Sequence, residues 1–130
     1  MAIAHFNRTY EEAFDLLVEA RNYAAYRQPK ESAGLAAYAR LAASRESLRV
    51  TSRLTQVMAW LLMQRAVQAG EITRDDARRP EHRLGAHEVC LEVCVEDMER
   101  LPTGLRGLLQ RSLSLYTRIS RLDQLFVPAH

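Results

Sequence analysis

The sequence predicts an all-α fold: a three-helix bundle with one long central helix and an irregular segment before the last helix. Two observations carry this. Apolar residues recur at steps of three and four in three separate stretches, and residues 35–69 contain neither glycine nor proline. Scale supplies a third, since 130 residues, 48% hydrophobic and 26% charged, suffice for one domain over 1–130 that buries its own core. The longest apolar run, Val57 to Met63, is far below the roughly 18 residues of a membrane span. Met1 to Arg8 holds no basic cluster followed by an apolar stretch, so a cytoplasmic protein is expected.

The first helix is expected at about 10–26. Thr9 and Glu12 form a capping-box signature, in which each side chain would satisfy a backbone N–H of the first turn. Tyr10, Ala13, Phe14, Leu17, Ala20 and Ala24 then supply a stripe at helical spacing. Pro29, Ser32 and Gly34 mark residues 27–34 as a connection. The second helix is expected at about 35–69, with Gly70 at its left-handed cap. At about 1.5 Å per residue it would reach roughly 52 Å, twice the first helix. Its second half, Val50 to Ala69, carries only Arg53 and Arg65 as charges and reads as buried on most sides. Those two arginines would then need acidic partners such as Asp15, Glu19 or Asp123.

Thr73 as N-cap, with Asp75 and Asp76 in the first turn and Pro80 beyond, predicts a short helix at about 74–79. The last helix is expected at about 102–126, opened by Pro102 and striped by Leu105, Leu108, Ser112, Leu115, Ile119, Leu122 and Phe126. Between them, Glu88, Cys90, Glu92, Cys94 and Glu96 alternate with Val89, Leu91, Val93 and Val95. That is the period of a strand, yet no other strand exists to pair with it. The segment is either a helix stacking Glu88, Glu92 and Glu96, or irregular chain with a short extended piece. The second reading is taken here.

No catalytic constellation emerges. The five glycines form no phosphate loop, and neither a Gly-x-Ser-x-Gly elbow nor an HExxH motif is present. Gly104 and Gly107 read as points of close helix packing. Cys90 and Cys94, with His82 and His87, are the one group of metal-ligand types, but the second pair of a zinc tetrahedron is doubtful. They read as small thiols and loop histidines, so neither metal nor cofactor is expected.

Charge is more informative than its total of +2. Residues 35–69 carry five Arg and one Glu, and 102–126 four Arg and one Asp; residues 10–26 and 84–100 are net acidic. Acidic segments lying against basic helices account for this. The sharper alternative makes Arg106, Arg111, Arg118 and Arg121 a partner surface. Nucleic acid ranks low for that surface, because no helix-turn-helix pattern appears and the pI is below 9. Val57, Trp60 and Leu61 sit in the densest apolar stretch and are candidate core or dimer contacts. A helix this long has more surface than two shorter partners cover, which favours a homodimer.

Two stretches carry a resemblance. Glu46 to Val67, ESLRVTSRLTQVMAWLLMQRAV, is followed by Gly70-Glu71-Ile72; Leu101-Pro102, Leu105-Arg106, Leu109, Arg111-Ser112-Leu113, Leu115-Tyr116, Arg118-Ile119 and Arg121-Leu122-Asp123 follow in order. Together they resemble the alphaproteobacterial regulator-of-CtrA-degradation (RcdA) family, also described as DUF1465. The resemblance implies a bundle, commonly dimeric, that acts without catalysis as an adaptor. It would help deliver cell-cycle regulators such as CtrA to the ClpXP protease, together with a response regulator, in the cytoplasm and at the cell pole. The alternative from another class is a nucleic-acid-associated regulator using the Arg-rich helix faces.

Overall fold

The computed structural model describes residues 2–93 and 98–125, with side chains from Phe6 onward. The elements are α1 (Ala2–Asn22), a π-helical turn (Tyr23–Arg27), α2 (Gln28–Ser32), α3 (Ala37–Gln68), α4 (Arg74–Ala77), a 3₁₀ turn (Pro80–His82), α5 (His87–Cys90) and α6 (Thr103–Gln124). The three long helices α1, α3 and α6 form the bundle, and no strand occurs among the described residues. The long central helix packs against both of the others.

The first helix departs most from expectation. It begins at Ala2, so Thr9 is a buried residue inside α1 and not its cap. Phe6 lies one turn further toward the N-terminus and packs edge-on against Trp60, at 5.8 Å between ring centroids. Burial of that ring favours the extra turns over a cap at Thr9. The buried stripe is accordingly rotated toward Thr9, Ala13, Leu16 and Tyr23, while Phe14 is half-exposed and stacks on Tyr10. Helical chain also continues through Pro29 to Ser32. An interior proline removes one hydrogen bond and clashes with the carbonyl four residues earlier. The π turn before it widens the helix, with Gln28 N–H reaching back to the Tyr23 carbonyl, and α2 restarts with the proline in its first turn.

At the far end of α3 the expected glycine cap is present. Gly70 has φ 76°, its N–H bonds the Val67 carbonyl, and Glu71 N–H bonds that of Ala66, the paired bonds of a Schellman motif. The chain then turns into α4 through a reciprocal capping box: Asp76 N–H to Thr73 Oγ1 at 3.0 Å and Thr73 N–H to Asp76 Oδ2 at 3.3 Å. α6 buries the expected stripe from Leu105 to Ile119; Phe126 lies outside the described residues.

Of the two glycines near the start of α6, only Gly104 packs closely. A Cβ there would stand 2.6 Å from Tyr23 Cε1, whereas one at Gly107 would meet nothing within 4 Å. Tyr23 is itself held, donating to Glu31 Oε1 at 3.2 Å with Arg27 over its ring. Burial, reinforced by Glu31, pushes its hydroxyl up to about 12. Gly104→Ala is expected to cost about 1–3 kcal/mol by displacing that ring. Gly107→Ala should be neutral or stabilising by up to about 1 kcal/mol, since alanine suits a helix better. Thermal denaturation of the two variants side by side checks this.

Candidate interaction surfaces

Val57, Trp60 and Leu61 are buried within the chain's own core, beside Leu54, Leu105 and Ile119. The second half of α3 is therefore one-sided, not buried all round: Thr55, Ala59, Leu62 and Arg65 are exposed. What the core leaves outside is a separate seam. Leu41 and Leu48, seven residues apart, and Leu62, two further heptads on, lie opposite the core stripe and are exposed, with Tyr38 one turn before Leu41. This seam was signalled by its spacing, but the denser apolar run at 57–63 masks it.

The four α6 arginines part company. Arg111 makes a two-pronged contact with Glu19 on α1, NH1 to Oε2 at 2.7 Å and NH2 to Oε1 at 2.6 Å. That hydrogen bonding holds the Glu19 carboxyl below its usual pKa. Arg118 donates to Glu12 Oε1 at 2.6 Å. Both pairs are about half-exposed, so each contributes at most about 1 kcal/mol; they chiefly set the facing of α1 and α6. Arg106 is half-buried, donating to Thr103 Oγ1, and Arg121 is exposed. The row does not form one continuous basic face.

The least expected polar structure lies under residues 83–93. Outside the single helical turn of α5 this segment has no regular hydrogen bonding, so the carbonyls and N–H groups it turns toward the core must find side chains. Here α3 and α6 supply them. Arg83 docks on Asp123 by Nε–Oδ1 at 2.8 Å, and Gly85 is held by both Gln56, at 2.9 Å, and Tyr116, whose hydroxyl donates to its carbonyl at 2.6 Å. Arg53 is fully buried and meets no carboxylate among the described residues. Its guanidinium instead donates to the carbonyls of Cys90 (2.7 Å), Leu109 (2.9 Å) and Glu92 (3.1 Å) and to Ser112 Oγ (3.2 Å). Burial, then the charge of Arg49, pulls the Arg53 pKa down, but guanidinium remains charged. Arg49 reaches the Val89 carbonyl, Glu92 Oε2 at 3.1 Å and Glu46 Oε1 at 2.9 Å. Burial opposes ionisation of Glu46, but the hydrogen bonds from Arg49 and Arg45 outweigh it and lower its pKa.

Arg65 likewise has no acidic contact among the described residues; it lies over the Tyr10 ring, 4.6 Å from the centroid. Asp123 serves Arg83 and Trp60 instead. With its carbonyls turned inward, the 83–93 segment leaves Val89, Leu91 and Val93 nearly half-exposed. Leu84 and Cys90 point in, and burial pushes the Cys90 thiol pKa up. His82 contacts the Asp76 carbonyl and His87 packs edge-on against Tyr116, so neither faces Cys90 as part of a ligand set; Cys94 lies outside the described residues. Among the described residues no three His, Cys, Asp or Glu side chains cluster as a metal site would require.

The sequence profile of a family described as "Protein of unknown function (DUF1465)" matches residues 1–130. The chain belongs to the DUF1465 family. Among solved structures it is similar to RcdA from Caulobacter crescentus CB15, at 37% identity and a TM-score of 0.75, over 96% of this chain and 92% of that one. No curated protein sequence matches this chain. The DUF1465/RcdA family is a regulator-type family and not a known enzyme family. Among the described residues, no helix of this DUF1465 member is long and apolar enough to cross a membrane.

Proposed function

We propose that this chain is a non-catalytic protein-interaction adaptor in regulated proteolysis. It would work in the cytoplasm and at the cell pole, bringing degradation substrates and a response regulator to a ClpXP-type protease. The likeness to RcdA over nearly the whole length of both chains carries the reading. Consistent with it, the buried polar side chains Arg53 and Tyr116 are committed to holding the 83–93 segment, and the apolar residues left outside form surfaces. The nucleic-acid alternative draws no support, because Arg111 and Arg118 already face Glu19 and Glu12. Pull-down from the native host with the tagged chain tests the proposal. Enrichment of ClpX, a response regulator and unstable regulators is expected; no enrichment above a charge-scrambled surface variant overturns it.

The adaptor is proposed to work as a homodimer joined along the outer seam of α3. A two-fold axis there would pair Leu41 and Leu48 with their own copies, so each substitution acts twice. Burying one leucine contributes about 1.5–3 kcal/mol, and each 1.4 kcal/mol is tenfold in affinity. Combining Leu41→Glu with Leu48→Glu is expected to weaken dimerisation at least about 100-fold without loss of helical content. Light scattering decides: a wild-type monomer at micromolar concentration refutes the dimer.

A further inference from the structure

We infer that the cleft between α4 and the C-terminal end of α3 is a docking site for a protein partner's acidic–apolar peptide segment, which inserts one aliphatic side chain and sets a carboxylate on Arg74 and Arg78. The cleft has a volume of about 200 Å³ and is lined by Phe6, Gln64, Val67, Arg74, Ala77 and Arg78. That is below the range of about 300–1,000 Å³ typical of small-molecule and cofactor sites, and suits a side chain in place of a whole metabolite. Its wall is mainly apolar, from Phe6, Val67 and Ala77, as an anchor pocket at a protein interface requires.

Two polar features choose the occupant. Gln64 is only 8% exposed, lines the cleft, and has no hydrogen-bond partner among the described residues. The side chain is mostly buried but its amide atoms still reach solvent, so they are open to pairing with a ligand at the cleft. A glutamine side chain carries one carbonyl acceptor and an NH₂ donor, the complement of a peptide group. An extended backbone passing the cleft mouth can satisfy both, which a hydrocarbon chain cannot. The second feature is charge. Arg74 opens α4 and Arg78 is its C-cap, one turn on, and the start of the turn is fixed by the Thr73–Asp76 capping box. Arg74 has no acidic partner among the described residues, and Arg78 has only a loose contact, 4.0 Å, with the almost fully exposed Asp75. Guanidinium favours planar carboxylate partners, so the peptide should be acidic beside its anchor.

The inference deepens the adaptor reading by naming a partner's chemistry, but it stands on this cleft. Peptide binding without ClpX enrichment would remove the proteolysis reading and leave the site. The test uses fluorescence anisotropy on the full chain with a fluorescein-labelled peptide carrying one leucine between an aspartate and a glutamate. Saturable binding is expected, weakened at least tenfold when the acids become amides or the leucine becomes serine. Arg74→Glu with Arg78→Glu, and separately Gln64→Leu, are each expected to weaken it at least tenfold, whereas the exposed Arg21→Glu leaves it unchanged. Ala77→Leu, which fills the cleft without touching charge, should also abolish binding, so a misfolded arginine variant cannot decide alone. Absence of saturable binding, equal affinity for the amide peptide, or insensitivity to both the Arg74/Arg78 reversal and Ala77→Leu overturns the inference. So does competition by octanoate but not by unlabelled peptide, which would assign the cleft to a lipid.

Discussion

Replacing Arg53 with methionine is expected to lower the unfolding free energy by about 3–5 kcal/mol, because it leaves several carbonyl acceptors in and beside the core without their donor. Methionine replaces the packed stem but none of the donors. Leu109 keeps a helical environment, whereas the Cys90 and Glu92 carbonyls belong to chain that has no ladder to fall back on. A buried acceptor left unpaired costs about 1–3 kcal/mol, and two such groups alone approach the predicted loss. Arg53→Lys should recover little, because a single ammonium cannot span acceptors on α6 and on the 90–92 chain as the planar fork does. Urea denaturation followed by circular dichroism measures the total. A local readout separates the clamp from general packing: Cys90 is fully buried and its thiol pKa is raised, so a disulfide reagent should react slowly with it in the wild type. Release of the 83–93 segment in Arg53→Met should speed that reaction before global unfolding. Stability within about 1 kcal/mol of wild type, with Cys90 still protected, would refute the clamp.

That clamp also shows where sequence reasoning succeeds and where it stops. The Gly70 cap, the Thr73 N-cap and the α6 stripe from Leu105 to Ile119 are local signals whose partners lie within a few residues, and the structure shows each of them. Thr9 with Glu12 is an equally good local signal that fails. The competing gain, Phe6 against Trp60, joins residues far apart in sequence, and Glu12 turns instead to Arg118. Pro29 misleads for a related reason, since the π turn that accommodates it leaves no compositional mark. The alternation at 88–93 does not mark two faces of a strand: His87–Cys90 is a helical turn, Cys90 is inside, and Glu88, Val89, Leu91, Glu92 and Val93 are all exposed. Its carbonyls are satisfied by arginines of α3, not by a neighbouring strand.

Arg53 illustrates the limit most directly. A buried guanidinium in the sequence prompts a search for an acid, because charge is visible in residue identity. Backbone carbonyls are present at every residue and so announce nothing. The candidate surfaces divide in the same way. The α3 seam was open to a heptad count, whereas the α4 cleft depends on where Gly70 turns the chain and on which polar side chain ends up without a partner.

Trp60→Ala is the second large effect, expected at about 3–5 kcal/mol. The ring is 2% exposed, meets Phe6 edge-on, and donates Nε1–H to Asp123 Oδ1 at 2.9 Å. Asp123 also receives Arg83 through Nε at 2.8 Å and NH2 at 3.0 Å, so one buried carboxylate ties α3, α6 and the start of the 83–93 segment together. Asp123→Ala should therefore cost about as much as the tryptophan, because it removes the carboxylate from both the Trp60 indole and the largely buried Arg83 guanidinium, which keeps only the Asp123 backbone carbonyl at 2.9 Å. Trp60→Phe keeps most of the apolar area and leaves Arg83 to satisfy the carboxylate, so about 1–3 kcal/mol is expected. The two alanine changes share a hydrogen bond and should couple, with the double variant departing from additivity by about 0.5–3 kcal/mol. Denaturant melts followed by circular dichroism give all four values. Trp60 is the single tryptophan, so its fluorescence should report directly on Asp123→Ala, with emission moving toward that of a hydrated indole. Strict additivity, or an unshifted emission in Asp123→Ala, would show that the carboxylate does not hold the ring.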